Sequence, residues 1–329
     1  MLTPPEFASM DDALRASLDA VLRLGHVASP RGMETREILG WAFRLTQPRA
    51  RKINLTSRRW SETLATGELC WHLSGSDDVG FISYYSPVWA SFSEDGHRVR
   101  GSCYGKRIFS PGEEPPSQWD LVKETLRQCP ESRRAVLTLY EAERDLRPSA
   151  PDLPCLATVQ FLLRKGKLHC IATMRSNDVI WGLCYDAFFI TMLQELLATE
   201  LSVRLGWYQH TANSLHVYKP FYQMAHDILS EKLLTSPKPM PRMRAIECLP
   251  AFLSAEAELR RGDSAGLKIV QTLPPYWRQL AQPLVGRYLR RNPALPGKHD
   301  PADVAKPSLE RPSMPNRQRA LSGALLNRL

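Results

Sequence analysis

The stretch from Cys155 to Met174 constrains the fold more than any other. Cys155, Ala157, Val159, Phe161 and Leu163 alternate with Leu156, Thr158, Gln160 and Leu162, the pattern of a strand buried over most of its surface. Arg164-Lys165-Gly166-Lys167 supplies a turn, and Leu168 to Met174 resumes the alternation, which predicts a β-hairpin. Downstream, Phe189, Met192, Leu193, Leu196 and Leu197 fall at i, i+3, i+4, i+7 and i+8, a helix with one apolar face. Strands mixed with long helices, without regular strand-helix alternation, predict an α+β fold rather than a doubly wound sheet.

The flanks extend this picture. Residues 10–24 carry apolar positions at helical spacing after an acidic first turn, 34–45 can be strand or helix, and 61–73 read as a helix burying Leu64, Leu69 and Trp71. Pro237, Pro239 and Pro241 mark a linker, and 245–291 read as two or three helices of a smaller unit. The expected organisation is a main domain over 1–235, a helical extension over 236–292, and a tail over 293–329. That tail holds six prolines and no aromatic residue, a composition that reads as disordered.

Several classes are disfavoured on composition. The longest mainly apolar run, Ala187 to Ala198, is interrupted by Thr191, Gln194 and Glu195 and falls short of the roughly 20 residues a membrane span needs. Glu6, Asp11, Asp12 and Asp19 sit where an export signal would carry positive charge, so a cytoplasmic protein is expected. Seven scattered cysteines with no C-x-x-C pair suggest neither a disulfide framework nor a metal knuckle. A net charge of +9 favours anionic partners without choosing among them.

A single cysteine on an apolar strand is ordinarily a small buried hydrophobe, and a single arginine a solvated surface charge. Order changes that reading. Pro154-Cys155, Gln160-Phe161, Arg175-Ser176-Asn177-Asp178, Gly182-Leu183-Cys184-Tyr185-Asp186 and His216-Val217-Tyr218 follow one another at defined intervals. Upstream stand Arg31-Gly32, Thr56-Ser57-Arg58, Glu68-Leu69-Cys70-Trp71, Trp89, Tyr104-Gly105 and Ser132-Arg133-Arg134. Across about residues 28–230 this series resembles the thymidylate synthase family, whose motifs run Pro-Cys, Gln-Phe, Arg-Ser-x-Asp, Gly-Leu-Pro-Phe-Asn and His-x-Tyr.

The resemblance implies a thymidylate synthase-like fold, with a mixed sheet packed at a homodimer interface, and a role for each matched residue. Cys155 would be the thiolate that adds to pyrimidine C6 and so activates C5 toward the one-carbon unit of methylenetetrahydrofolate. Arg31 and Arg175 of one subunit and Arg133 and Arg134 of its mate would bind the nucleotide phosphate, with Arg175 also close to the cysteine. Glu68 and Tyr104 would belong to a proton network beside the pyrimidine. Ser176 would lie with the nucleotide, and His216 and Tyr218, alternate residues of a strand, would reach one sugar hydroxyl. Arg58, Trp89 and Asp178 match folate-side positions, although the family usually has lysine where Arg58 stands. No metal is implied.

The chain departs from thymidylate synthases at Leu156, in place of histidine, at Cys184-Tyr185, in place of Pro-Phe, and at Asp186, in place of asparagine. Uracil offers an N3 donor beside an O4 acceptor, which an amide complements; cytosine reverses both. A protonated carboxyl can donate to N3 and accept from the amine, so Asp186 points to a cytidine nucleotide. Within the family this resembles the cytidylate hydroxymethylases, including the mildiomycin type, in which water captures the C5 methylene. The expected partners are CMP or dCMP and folate, with no membrane and no nucleic acid; Arg133 and Ser176 lean toward dCMP. Two alternatives remain at this stage: a thymidylate synthase acting on dUMP, and a non-catalytic homologue that binds nucleotides or nucleic acid.

Overall fold

Why the hairpin takes its register is visible at its turn. Lys165 and Gly166 both adopt left-handed backbone (φ 50° and 67°), the two-residue turn whose twist matches that of its flanking strands. A computed structural model describes residues 3–110, 116–146, 150, 152–232 and 237–293. Their elements run in chain order as β1 (Glu6–Phe7), α1 (Met10–Leu24), β2 (His26–Ala28), β3 (Thr35–Leu45), α2 (Glu62–Leu73), α3 (Val79–Tyr85), α4 (Tyr104–Phe109), α5 (Gln118–Gln128), β4 (Val136–Thr138) and α6 (Ala142–Asp145). The hairpin follows as β5 (Leu156–Arg164) and β6 (Lys167–Met174), then β7 (Asn177–Asp178), α7 (Gly182–Glu200), β8 (Arg204–Tyr218) and α8 (Tyr222–Ser230). Three helices close the described chain: α9 (Leu249–Arg261), α10 (Ala265–Thr272) and α11 (Pro275–Arg291). The segment 34–45, readable either way in the sequence, is thus strand, while the tail beyond residue 293 lies outside the described residues.

One mixed sheet orders its strands β1-β3-β8-β6-β5-β4, with β2 beside β3 and β7 beside β8. β8 runs antiparallel to β3 but parallel to β6 and β7, so the fold is α+β as expected. Alternation along β8 buries Tyr208, His210 and Ala212 toward α7 and leaves Trp207, Gln209 and Thr211 half-buried on the opposite face.

α7 differs from its expected single apolar face, being buried on nearly every side. Its polar residues are satisfied internally. Gln194 donates to the carbonyls of Leu168 and Trp207 at 2.9 and 3.0 Å, and the Thr191 hydroxyl donates to Ala187 at 2.6 Å. Glu195 pairs with buried Arg51 and accepts from the Met243 amide at 2.9 Å. A further layer comes from α2, which packs on α7 and whose other neighbours include α3, α4, α9 and α11. Tyr85 donates to buried Glu256 on α9 at 2.7 Å, Arg260 bonds the same carboxylate at 2.8 Å, and the Arg260 guanidinium lies 3.7 Å above the Phe81 ring. Gly67 on α2 admits this packing, since a Cβ there would fall 2.4 Å from the Tyr85 ring. Among the described residues no helix is long and apolar enough to cross a membrane.

Candidate active site

The open end of the hairpin, opposite its turn, brings Cys155 and Arg175 together across neighbouring strands. The Arg175 amide donates to the Cys155 carbonyl at 2.8 Å, and its guanidinium donates to the carbonyls of Pro154 (2.7 Å) and Leu153 (3.1 Å) while approaching Cys155 Sγ at 3.8 Å. A register shift between Leu156 and Thr158 bulges β5 beside the cysteine, a device that re-aims a side chain at the end of a strand. Asp152 docks the segment ahead of it, accepting from the amides of Gly101 and Ser102 at 2.8 and 2.7 Å and from the Ser102 hydroxyl at 2.6 Å.

Burial pushes the Cys155 thiol up to about 11, opposed by Arg175 and Arg31 and reinforced by Asp186 and Asp152. A thiol so placed is ionised at neutral pH in only about one molecule in ten thousand. Nucleophilic use therefore requires proton removal as the bond forms. Tyr104, at the start of α4, is buried, accepts from the Leu156 amide at 3.4 Å, and has its hydroxyl raised by burial, then by Asp186 and Cys155. Its ring stacks on His72 of α2, centroids 5.4 Å apart. Glu68 precedes His72 by four residues and so shares that face of the helix, while Trp71 of α2 meets Trp89 at 5.4 Å. The Gly105 amide donates to His72 Nδ1 at 3.2 Å, and burial lowers that imidazole to about 3, so it is a neutral wall.

Asp186 occupies the first turns of α7. Its Oδ2 accepts from Asn177 Nδ2 at 2.7 Å, and burial raises its carboxyl to about 7, with Asp178 adding to the rise and Asn177 opposing it. Asn177 Oδ1 in turn lies 3.0 Å from His210 Nε2, and His210 Nδ1 lies 2.7 Å from the Tyr208 hydroxyl. β7 pairs Asp178 with His216, whose ring meets Tyr218 edge-on at 5.0 Å. The Asp178 carboxylate accepts from the amides of Ile180 and Trp181 at 2.7 and 3.2 Å, and burial raises it against the pull of His216 and Arg58.

Arg58 is fully buried, its guanidinium 4.9 Å from the Trp181 ring centre and 5.5 Å from that of Tyr185. Among the described residues its nitrogens meet no oxygen acceptor of good geometry and bear on the Cys184 thiol, so the position suits an anionic group. Glu231 caps the turn that carries it, accepting from the Thr56 and Ser57 amides at 2.7 and 2.8 Å. Arg31 stands exposed in a turn at φ 54° and acts electrostatically on Cys155 and Tyr218. Ser176 is half-buried beside Arg175.

The fold thus gathers Cys155, Arg175, Arg31, Tyr104, Asp186, Asp178, His216 and Tyr218 into one electrostatic neighbourhood. Arg133 and Arg134 are instead exposed on the loop entering β4, where Gln160 donates to the Arg133 carbonyl at 2.9 Å. Sequence reasoning did not single out Asn177, His210 and Tyr208, which this hydrogen-bond chain joins to Asp186. Its available signal was alternation on β8, which puts residues 208 and 210 on the buried face.

Comparison with known proteins follows the same lines. The family model described as thymidylate synthase matches residues 14–253. The deoxyuridylate hydroxymethyltransferase of Bacillus phage SP01 is 33% identical over 219 residues, 62% of this chain and 56% of the relative. The protein of the same name from Delftia phage PhiW-14 is 28% identical over 199 residues, 57% of this chain and 54% of that one. A third, from Pseudomonas phage M6, is 26% identical over 236 residues, 66% and 64% of the two chains. This chain accordingly spans a little over half of the length of the first two.

Proposed function

The chain belongs to the thymidylate synthase family, and from that premise we propose that it is a folate-dependent 5-hydroxymethyltransferase of cytidylate, CMP or dCMP. Cys155 adds to C6 of the pyrimidine, making C5 a nucleophile; methylenetetrahydrofolate supplies the one-carbon unit. Water then captures the C5 methylene and the cysteine leaves, giving the 5-hydroxymethyl nucleotide and tetrahydrofolate. Arg175 and Arg31 hold the phosphate and favour the developing thiolate, while Glu68 and Tyr104 hold protons near the ring. Arg58, Trp89 and Asp178 would hold folate, and the buried guanidinium of Arg58, which meets no oxygen acceptor among the described residues, fits its anionic character. His216 and Tyr218 take the sugar hydroxyl, and Ser176 lies along the nucleotide.

The observation that carries the base assignment is the Asp186 carboxyl, raised to about 7 by burial. A carboxyl that keeps its proton near neutrality offers cytosine a donor for N3 and an acceptor for the amine. The phage relatives, whose names specify deoxyuridylate, favour a second reading in which the same hydroxymethyl transfer acts on dUMP.

The proposed assembly is a homodimer. The sheet face opposite α7 leaves Ala42, Ile171, Thr173 and Trp207 half-buried, a surface suited to a second copy. The exposed Arg133 and Arg134 would then reach the partner's phosphate.

The test is incubation with dCMP, CMP and dUMP plus methylenetetrahydrofolate, reading product masses and the oxidation state of the folate. A gain of CH2O on a cytidine nucleotide with tetrahydrofolate formed is the expected result. The same gain on dUMP alone selects the second reading; a gain of CH2 with dihydrofolate identifies thymidylate synthesis, and no product a binding protein.

A further inference from the structure

Asp186 does not stand alone. Asn177 Nδ2 donates to its Oδ2 at 2.7 Å, which obliges Asn177 Oδ1 to face His210 Nε2 at 3.0 Å. A carbonyl oxygen only accepts, so His210 carries its proton on Nε2; its bare Nδ1 then accepts from the Tyr208 hydroxyl at 2.7 Å. Every link fixes the direction of the next.

The chain is sealed in protein. Tyr208 and His210 have no exposure, Asn177 is 2% exposed, and the imidazole stacks on Phe43 with centroids 5.4 Å apart. Burial lowers His210 to about 3 and raises the Tyr208 hydroxyl, so neither charges near neutral pH and the chain transmits orientation rather than charge. Gly182 leaves the space: a Cβ there would sit 2.8 Å from Asn177 Nδ2 and 3.2 Å from Asp186 Oδ2. The titratable groups bearing on Asp186 are Asp178, Cys155, Tyr104 and Tyr208.

Direction has a chemical consequence at the base. In this orientation Asn177 gives a hydrogen bond to Asp186 and takes none from it, so a neutral Asp186 keeps its O–H for the pyrimidine. With the amide reversed, the Asn177 carbonyl would face Asp186 and draw that O–H to itself, leaving only acceptors toward the base. Acceptors match the N3–H of uracil and leave cytosine N3 without a donor.

We propose that Tyr208, His210 and Asn177 form a directional hydrogen-bond chain of positioning residues whose fixed sense makes Asp186 select cytosine over uracil. The inference rests on the cytidylate reading of Asp186 and names what enforces it. Tyr208 holds the imidazole tautomer, His210 holds the amide orientation, and Asn177 delivers it to the carboxyl.

The experiment compares full-length wild type with His210→Leu, which cannot donate, His210→Gln, which retains a donor, and Tyr208→Phe, which removes one oxygen. kcat/KM for dCMP and dUMP is measured between pH 6 and 9 by product mass. His210→Leu is expected to lower the dCMP-to-dUMP ratio at least about tenfold, the range of a mispaired buried polar contact. Tyr208→Phe should shift the ratio the same way by less, and His210→Gln should restore it. The pH at which dCMP turnover falls should move upward in His210→Leu, because the donated bond that favours the Asp186 carboxylate is no longer held in place. A purely structural role would depress both substrates equally and leave the ratio and the pH limb where they were, overturning the proposal. If His210→Leu does not fold, Tyr208→Phe decides by the same criteria. A wild type that prefers dUMP overturns the reading of Asp186 and the chain's proposed role with it; a wild type that prefers dCMP, with ratios unmoved in the variants, overturns the chain alone.

Discussion

Asp186→Asn should stabilise the protein more at alkaline than at acid pH. The Asp186 carboxyl is raised from 3.8 to about 7 by burial. The folded protein therefore binds its proton more tightly than the unfolded chain does. That contribution to stability is complete below the unfolded value and is lost as pH rises through the folded one. Three pKa units correspond to on the order of 4 kcal/mol, of which the two units between pH 5 and 7 represent about 2 to 3 kcal/mol. Asparagine has the same shape, does not titrate, and can still accept from Asn177. Urea unfolding of both proteins at pH 5 and pH 8.5, at one protein concentration, cancels every other titrating group they share. The gain of the variant over wild type should be larger at pH 8.5 by about 2 to 3 kcal/mol. A difference that stays within about 0.5 kcal/mol between the two pH values, comparable to measurement error, would show that Asp186 is already ionised at pH 5 and remove the argument for a proton at the base.

Cys155→Ser should abolish product formation while retaining nucleotide affinity, because the pocket keeps its shape and the oxygen is a far weaker nucleophile; turnover above about one hundredth of wild type removes Cys155 from its role. Mixing inactive Cys155→Ser with inactive Arg134→Ala should regenerate activity if Arg134 serves the partner's site, whereas mixtures as silent as their components argue against shared sites. Glu195→Ala strands Arg51, which is buried with it, and should cost about 3 to 5 kcal/mol in thermal or urea unfolding; a loss below about 1 kcal/mol would show that the pair contributes little.

The hairpin was legible because alternation and a Lys-Gly turn are local signals, and β5 and β6 lie where those signals put them. The fold class followed, since no regular strand-helix alternation competed with it. β3 was ambiguous because Ile38-Leu39-Gly40-Trp41 is apolar on both faces, and only its ten-pair ladder with β8 decides the matter. The burial of α7 on nearly all sides was hidden because its polar positions, Thr191, Gln194 and Glu195, interrupt the apolar pattern yet find partners up to 144 residues distant. Site residues were readable as an ordered series rather than one by one. Asn177 went unremarked inside such a motif, and nothing local announces that it joins Asp186 to a histidine 33 residues on.

The hairpin that opens on Cys155 and Arg175 also bears on the order in which the site can assemble. Its two reactive residues are 20 apart in the chain, whereas Arg31 lies 124 residues before the cysteine. Loop-closure entropy grows only logarithmically, yet that ratio of separations still makes the longer closure about 1.5 kcal/mol more costly. An isolated hairpin closes in about 1 to 10 μs. Thiol and guanidinium are thereby joined by a contact less entropically demanding than the approach of Arg31, which is added to a pair that the chain can already have made.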